Sequence, residues 1–477
     1  MSDFPTQLLI NGQWLDGSGA KRLAIVNPAT EETFAEVCSA TADEIGQAAE
    51  AGQAAFESGW RDMPPGERTR LLRNLAKRIH ENVETLAQLE TRNVGKPIGD
   101  ARWEADAGAK VFDYYAGAIG HLCGQTIPVA RGGFDFTLRQ PMGVIAAITP
   151  WNFPFLIACW KVAPALAAGN SVVLKPASLT PLTALMLGQL AQEAGLPDGV
   201  LQVVPGSGSE AGNALATHPL VRKIGFTGST EVGATIMKLA ADDIKRVSLE
   251  LGGKSPNIVF ADADWQRAAA ESPMSVFANT GQDCCARSRM FIEQSVFDGF
   301  VDQFVAATES LKIGDPMDEA TQVGPMVSAA QRELSESHIA GARDAGREIR
   351  TGGDRPNGGG FYLNPAVVTG VGTEDRAWRE EIFGPVVCLR PFTDETEMLR
   401  EVNDTNFGLS GSVWSNDLSR ALRVARQVES GVISINSHSS VHTEAPFGGF
   451  KRSGLGRDLG MSAMEACTEV KNIYVGE

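Results

Sequence analysis

Apolar residues recur in two rhythms along the chain, and the change from one to the other marks its architecture. Near the start, Leu8-Leu9-Ile10 and Trp14-Leu15 flank Asn11-Gly12, a dipeptide that tolerates positive φ, which predicts a tight hairpin. Residues 42–58 and 65–92 are rich in Ala, Glu, Gln, Leu and Arg, with apolar side chains at helical spacing (Leu71, Leu72, Leu75, Ile79), and predict two helices. Between 121 and 141 the pattern shifts to short alternating pieces, Gln125-Thr-Ile-Pro-Val and Phe134-Asp-Phe-Thr-Leu, which read as a projecting β-hairpin. From 143 onward apolar runs return every twenty to thirty residues: Val144–Ile148, Val172–Leu174, Leu201–Val204, Lys223–Phe226 and Val247–Leu251. They lack polar alternation, as strands buried on both faces do. Helical stretches separate most of them; the clearest spans about 180–194, with Ser178 or Thr180 available as N-cap, Pro181 in the first turn and Gly195 past the end. This alternation predicts a parallel, doubly wound sheet. A second series of strands and helices runs from Asn257–Phe260 through Gly431–Asn436. The tail, Glu469-Val-Lys-Asn-Ile-Tyr-Val, alternates like an exposed strand and needs a pairing partner.

Composition narrows the class. With 477 residues, 43% hydrophobic and 21% charged, the chain is globular and long enough for two or three domains. Its 42 basic and 58 acidic residues, net −16, give no general attraction to nucleic acid or to anionic membranes, so any bound anion must meet a local site. The seven cysteines (38, 123, 159, 284, 285, 388 and 467) are dispersed without a CxxC pair, which predicts free thiols, no metal site and a reducing compartment. Met1-Ser-Asp-Phe-Pro-Thr has no leader-like basic and apolar regions, and no apolar run approaches the roughly 20 residues of a membrane span, so the cytoplasm is expected.

In a doubly wound sheet ligands bind beyond the carboxyl ends of the strands. Four unusual segments stand there: Thr149-Pro150-Trp151-Asn152-Phe153-Pro154, Lys175-Pro176-Ala177-Ser178, Phe226-Thr227-Gly228-Ser229-Thr230 with Glu231-Val232-Gly233, and Leu249-Glu250-Leu251-Gly252-Gly253. They offer an exposed amide, a cation ahead of a helix, a helix opening whose amides can hold an anion, and a carboxylate followed by glycines that permit close approach. Singly, each has a plainer reading: a solvated lysine, a helix cap, a strand-end acid. Their coincidence at successive strand ends points to a cofactor site. Gly206-Ser-Gly208 followed by Gly212 misses the GxGxxG spacing and reads first as a turn, with Gly208 kept as a cofactor candidate.

One further segment, Asn279-Thr-Gly-Gln-Asp283-Cys284-Cys285-Ala-Arg287-Ser-Arg289, joins two thiols to a Gly-Gln turn and two arginines, an arrangement that could depress one thiol pKa. Most cysteines are small core residues, and the six histidines (80, 121, 218, 338, 438 and 442) supply no recognisable imidazole partner.

Taken together these motifs resemble the aldehyde dehydrogenase superfamily over nearly the whole chain: Asn27-Pro-Ala-Thr, TPWNFP, VLKPAS, FTGSTEVG, LELGGKSPNIV, GQDCCARSR, Glu380-Glu-Ile-Phe-Gly-Pro and Pro446-Phe-Gly-Gly-Phe-Lys-Arg-Ser-Gly, in the family's order. The resemblance implies that Cys284 is the nucleophile, Glu250 the general base, and Asn152 with the Cys284 amide the oxyanion donors. It places Lys175, Gly228 and Ser229 along the adenosine and pyrophosphate of NAD or NADP, and Trp151, Gly252, Glu381 and Phe383 on the ribose and nicotinamide side. Thr149, Pro150, Ser178 and Leu251 join the cofactor set. Phe153, Ile157, Trp160, Asp283, Cys285, Val441 and Phe447 match substrate-pocket positions, an apolar throat for an aliphatic or aromatic aldehyde. The implied fold is α/β: a Rossmann-like parallel-sheet cofactor domain (1–120 and 142–253), an α/β catalytic domain (254–452) and a small β oligomerisation element (121–141 and 453–477), with a homodimer or homotetramer as the assembly.

Three positions depart from the family pattern. Ser178 stands where many NAD-preferring members carry Glu; a hydroxyl does not repel a 2′-phosphate, so NADP is expected to be accepted, with Lys175 as the phosphate partner. Asp458 replaces a common Glu, which weakens any proton-relay role. Asp283 precedes the nucleophile, facing a cationic substrate group or serving as a loop carboxylate. A CoA-acylating enzyme is the nearest rival, disfavoured because it needs no base for water; a non-catalytic relative of the fold would not need to keep Cys284, Glu250 and Asn152 together.

Overall fold

The structure is a computed structural model that describes residues 4–19, 21–439 and 441–476. Residues 1–3, on which part of the leader reading falls, lie outside that range. Three sheets organise the chain, with a separate two-stranded ribbon of Arg22–Val26 and Thr33–Cys38. In the first sheet the five predicted apolar runs form parallel strands, Val144–Ile148, Ser171–Lys175, Leu201–Val203, Val221–Thr227 and Arg246–Glu250. Val144–Ile148 lies at the centre, with Ser171–Lys175 then Leu201–Val203 on one side and Val221–Thr227 then Arg246–Glu250 on the other. The order therefore reverses between Val144–Ile148 and Val221–Thr227, and at such a reversal the connections leave in opposite directions and open a crevice at the strand ends. Antiparallel strands close both edges: the Leu8–Ile10 and Gln13–Leu15 hairpin, turning through Asn11 and Gly12 at φ 50° and 76°, and Gly454–Leu455 beside Leu249–Glu250.

The second sheet carries six parallel strands: Ala366–Thr369, Val386–Phe392, Arg289–Glu293, Pro256–Val259, Ser410–Trp414 and Val432–Ile435. Antiparallel Glu348–Thr351 sits at one edge. The third sheet joins the predicted hairpin strands Thr126–Ile127 and Phe134–Pro141 to the tail strand Thr468–Val475, so the tail finds its partner within the chain. One flank of Thr468–Val475 stays unpaired, and Val470, Tyr474 and Val475 are exposed there. No described helix is long and apolar enough to cross a membrane.

Three local expectations are corrected. The predicted helix over 65–92 is two helices, Pro65–Glu81 and Val83–Val94. Asn82 interrupts them at φ −113° and ψ 15°, its side chain donating to the Arg78 carbonyl at 2.8 Å, a local bond that competes with helix continuation. The helix over 42–58 holds a Thr41–Glu44 capping box but stops at Ala55, followed by a π turn at Phe56–Trp60 containing Gly59 at φ 133°. The helix predicted over 180–194 spans Leu182–Glu193 after Pro181, and neither Ser178 nor Thr180 caps it: Ser178 donates to the Gly206 carbonyl and Thr180 to the Trp151 carbonyl.

Candidate active site

The site forms where the first sheet's crevice meets the second sheet, around a cavity of about 520 Å³. Glu250 ends its strand opposite Thr227, and Cys284 reaches the same cavity from the loop that precedes Arg289–Glu293. That loop is built under strain. Asn279, Thr280 and Gly281 follow one another at φ 49°, 58° and 72°, and non-glycine residues persist there only when their surroundings over-determine them. Here they do. Thr280 Oγ1 donates to the Gly324 carbonyl at 2.9 Å, Gln282 Oε1 accepts from the Val327 amide at 3.0 Å, and a Cβ on Gly281 would strike the Gly384 carbonyl.

Asp283, Cys284 and Cys285 bring their carboxylate and sulfur atoms within 4.8 Å of one another. Asp283 Oδ1 accepts from the Cys285 amide at 2.8 Å, the behaviour of a loop carboxylate, while it also borders the cavity. The expectation that Arg287 and Arg289 depress a thiol pKa is corrected. Arg287 donates to the carbonyls of Cys285 and His438 and to Ser412 Oγ; Arg289 donates to the carbonyls of Lys254 and Val402. The Cys284 thiol is instead pushed well above its ordinary range by its hydrogen bond with Cys285, by burial and by the Asp283 carboxylate. Among the described residues the Cys284 backbone amide has no hydrogen-bond partner.

Asn152 is 2% exposed, its Nδ2 donating at 2.9 Å to the carbonyl of Gln282, two residues before Cys284. Glu250 is 3% exposed and neither carboxylate oxygen has a hydrogen-bond partner among the described residues. Burial raises its pKa well above the carboxylate range and the Asp458 carboxylate adds to this, opposed by Lys161 and Arg457. Lys161 and Asp458 form a buried pair at 2.9 Å, so the shorter Asp458 still holds a lysine near Glu250. A Cβ on Gly448 would sit 2.6 Å from Glu250 Oε1, so glycine is what leaves the carboxylate room.

Phe153, Ile157, Trp160, Cys285, Val441 and Phe447 line the cavity, with Trp160 and Phe447 centroids 5.4 Å apart. Sequence reasoning missed Lys96, Asp100, Trp103, Glu271 and His438, which line it together with Arg287 of the thiol segment. Asp100 and Trp103 lie on the helix Ile98–Ala118, which the hydrophobic pattern did not single out, and Lys96 stands just ahead of it.

The cofactor candidates stand at the carboxyl ends of the first sheet's strands and in the segments that follow or pack against them. Ser229 caps the helix Thr230–Ala241 through the Val232 amide, leaving that helix's N-terminus toward the crevice. Glu381 Oε1 accepts from the Gly253 amide at 2.8 Å, and burial raises its pKa to about 7. A Cβ on Gly252 would collide with Glu381, and one on Gly228 would sit 2.5 Å from the Phe226 ring. Trp151 and Phe383 meet edge to face at 5.2 Å, Phe383 holding φ 54°. Thr149, next to Pro150, keeps a buried hydroxyl without a partner among the described residues. Lys175, its pKa lowered to about 8 by burial, donates to the carbonyls of Pro176 and Gly206; Ser178 shares the latter. Leu251 is buried, its amide donating to the Ser453 carbonyl. Gly208 opens a short turn capped by Ser207, with open space where a Cβ would stand. A helix N-terminus, side-chain-free glycines, an orphaned hydroxyl and a half-buried carboxylate with an oxygen to spare suit a dinucleotide.

Comparison with known proteins agrees with this geometry. The family profile described as "Aldehyde dehydrogenase family" matches residues 14–473. The chain is 43% identical to betaine aldehyde dehydrogenase 1 of Oryza sativa subsp. japonica (98% of this chain, 94% of the relative). It is 42% identical to phenylacetaldehyde dehydrogenase of Pseudomonas fluorescens (99% and 96%). The solved NAD+ complex of aldehyde dehydrogenase from Bacillus cereus superposes with a TM-score of 0.97 at 40% identity, covering 99% of this chain and 96% of that one. The chain belongs to the aldehyde dehydrogenase family, and its reaction is the NAD(P)-dependent oxidation of an aldehyde.

Proposed function

We propose that Cys284 is the nucleophile, Glu250 the general base, and Asn152 with the Cys284 amide the oxyanion donors. The observation that carries this reading is the pairing of an unbonded Cys284 amide with an unbonded Glu250 carboxylate around one cavity. As the thiolate, its proton already lost to solvent, Cys284 Sγ adds to the aldehyde carbon, and the C=O π pair moves to the oxygen, to which the Cys284 N–H and the second N–H of Asn152 would donate. When bound, the oxidised nicotinamide supplies a hydride acceptor. With the carbon at the acid oxidation level as a thioester, Glu250 takes a proton from water, the water oxygen adds to the carbonyl, and the C–S bond breaks, leaving the thiolate on Cys284 and releasing the acid. Glu250→Gln is expected to give about one equivalent of reduced cofactor per site and then stall, and Cys284→Ala none. Steady turnover in Glu250→Gln, followed by absorbance of the reduced cofactor, would remove the assigned base.

Lys175, Ser178, Gly208, Gly228 and Ser229 would hold the adenosine and pyrophosphate; Thr149, Pro150, Trp151, Leu251, Gly252, Glu381 and Phe383 would hold the ribose and nicotinamide. Ser178 leaves no carboxylate against a 2′-phosphate, and Lys175 has a third N–H free for one, which supports use of NADP as well as NAD. kcat/KM for NADP is expected to lie within a hundredfold of that for NAD; a larger preference for NAD would sink this reading. The substrate is a neutral or cationic aldehyde with an apolar body: the walls are apolar, Asp100 and Glu271 border them, and the nearby cations Lys96 and Arg287 are committed to protein partners. A homodimer or homotetramer, a cytoplasmic setting, and a division into cofactor (1–120, 142–253), catalytic (254–452) and oligomerisation (121–141, 453–477) parts complete the reading. The seven unpaired thiols and the exposed tail strand support it.

A further inference from the structure

We propose that a buried Lys96–Glu104 ion pair is a positioning device for Asn152, setting the carboxamide that meets the oxyanion; this rests on the role assigned to Asn152 above. Lys96 stands just before the helix Ile98–Ala118, and Glu104 lies two turns inside it. Both side chains are 0% exposed and form an ion pair. The lysine's donors serve two elements at once. Besides Glu104, Nζ donates at 2.9 Å to the backbone carbonyl of Asn152, and it lies 4.3 Å from the centroid of the Phe153 ring. Glu104 is equally divided: its second oxygen accepts at 3.0 Å from the Leu156 amide, in the first turn of the helix Pro154–Ala167 that follows Asn152. The pair therefore grips the segment 152–156 at both ends.

From the other side Asn279, in the strained nucleophile loop, donates at 2.9 Å to the same Asn152 carbonyl, and the Asn152 side chain returns to Gln282. With its backbone fixed by Lys96 and Asn279, the carboxamide has one arrangement that meets the Gln282 carbonyl, and its second N–H is aimed by that choice. Glu90 lies 3.8 Å from Lys96, beyond hydrogen-bond reach, and burial, then the Glu104 carboxylate, push its pKa well above the ordinary range. A buried ion pair adds little stability over an apolar replacement of the same volume, so what the pair contributes is geometry. Methionine at 96 would fill the space and lack every donor.

The test is a double-mutant cycle of Lys96→Met and Asn152→Ala, read by single-turnover formation of reduced cofactor with aldehyde in excess. Loss of an oxyanion donor costs about a hundredfold or more, so Asn152→Ala is expected near that value, and Lys96→Met at about tenfold in rate with KM for the cofactor unchanged. In the Asn152→Ala background Lys96→Met should cost less than about twofold. A full tenfold further loss there would show that Lys96 acts independently of Asn152 and would overturn the proposal alone. A wild-type rate in Asn152→Ala would remove the oxyanion assignment and the proposal with it. If Lys96→Met does not fold, Lys96→Met/Glu104→Gln, which removes both charges and keeps an acceptor for the Leu156 amide, is read in the same cycle with the same outcomes.

Discussion

The thiol and the carboxyl at this site are both held toward their neutral forms, for different reasons. Cys284 is held by its thiol neighbour, burial and Asp283; Glu250 by burial and Asp458. A carboxyl with a raised pKa is a base only above that pKa, so hydrolysis of the thioester is expected to speed up as pH rises past the ordinary carboxylate range. Asp458→Asn tests the cause. It removes a charge that raises the Glu250 pKa and leaves Lys161, which lowers it, unopposed; the Glu250 pKa must fall, and the rising limb of the deacylation profile must move to lower pH. The same change leaves a buried lysine without its partner and should destabilise the fold by about 3 kcal/mol, seen in denaturant titration. A profile that stays in place while stability drops would reduce Asp458 to a structural role. At this scale the sequence was readable only through motif context. The Gly-Gln-x-Cys frame singled out Cys284 among seven cysteines, whereas Lys96 gave no signal, because a buried lysine and a solvated one are spelled alike.

Elements were more legible than their ends. All five parallel strands of the first sheet stand where apolar runs without strict polar alternation predict them, because strands covered on both faces bury most of their positions. Helix ends escaped when a side chain chose a tertiary partner over a cap. Ser178 and Thr180 have good capping chemistry, yet their hydroxyls go to the carbonyls of Gly206 and Trp151, linking the cofactor crevice to the Thr149–Pro154 turn. Asn82 did the reverse, spending its amide on a local carbonyl and breaking a helix whose periodicity runs straight through it. The strained turn Asn279–Gly281 was illegible for a deeper reason. Left-handed φ at Asn and Thr is imposed by the distant Gly324, Val327 and Gly384, and nothing local announces it.

Across the whole molecule, the third sheet exposes apolar side chains on both faces, Phe134, Leu138 and Val475 on one and Ile127, Val470 and Tyr474 on the other, beside a strand edge that is unpaired among the described residues. Light scattering is expected to give a dimer or tetramer mass, and Val470→Asp with Tyr474→Asp to lower it; a monomeric wild type would end that reading. The opposite end of the first sheet carries a consequence for synthesis. Gly454–Leu455 pairs with Leu249–Glu250, so the strand that ends in Glu250 receives its last neighbour roughly two hundred residues after it is made. A nascent chain can leave the ribosome with the crevice and the thiol loop translated while Glu250 still sits on an open edge. Assembly of the Glu250 side of the site is thus a late, long-range event, and a chain stopped short of Gly454 would hold Cys284 without a settled Glu250, the base in the proposed mechanism.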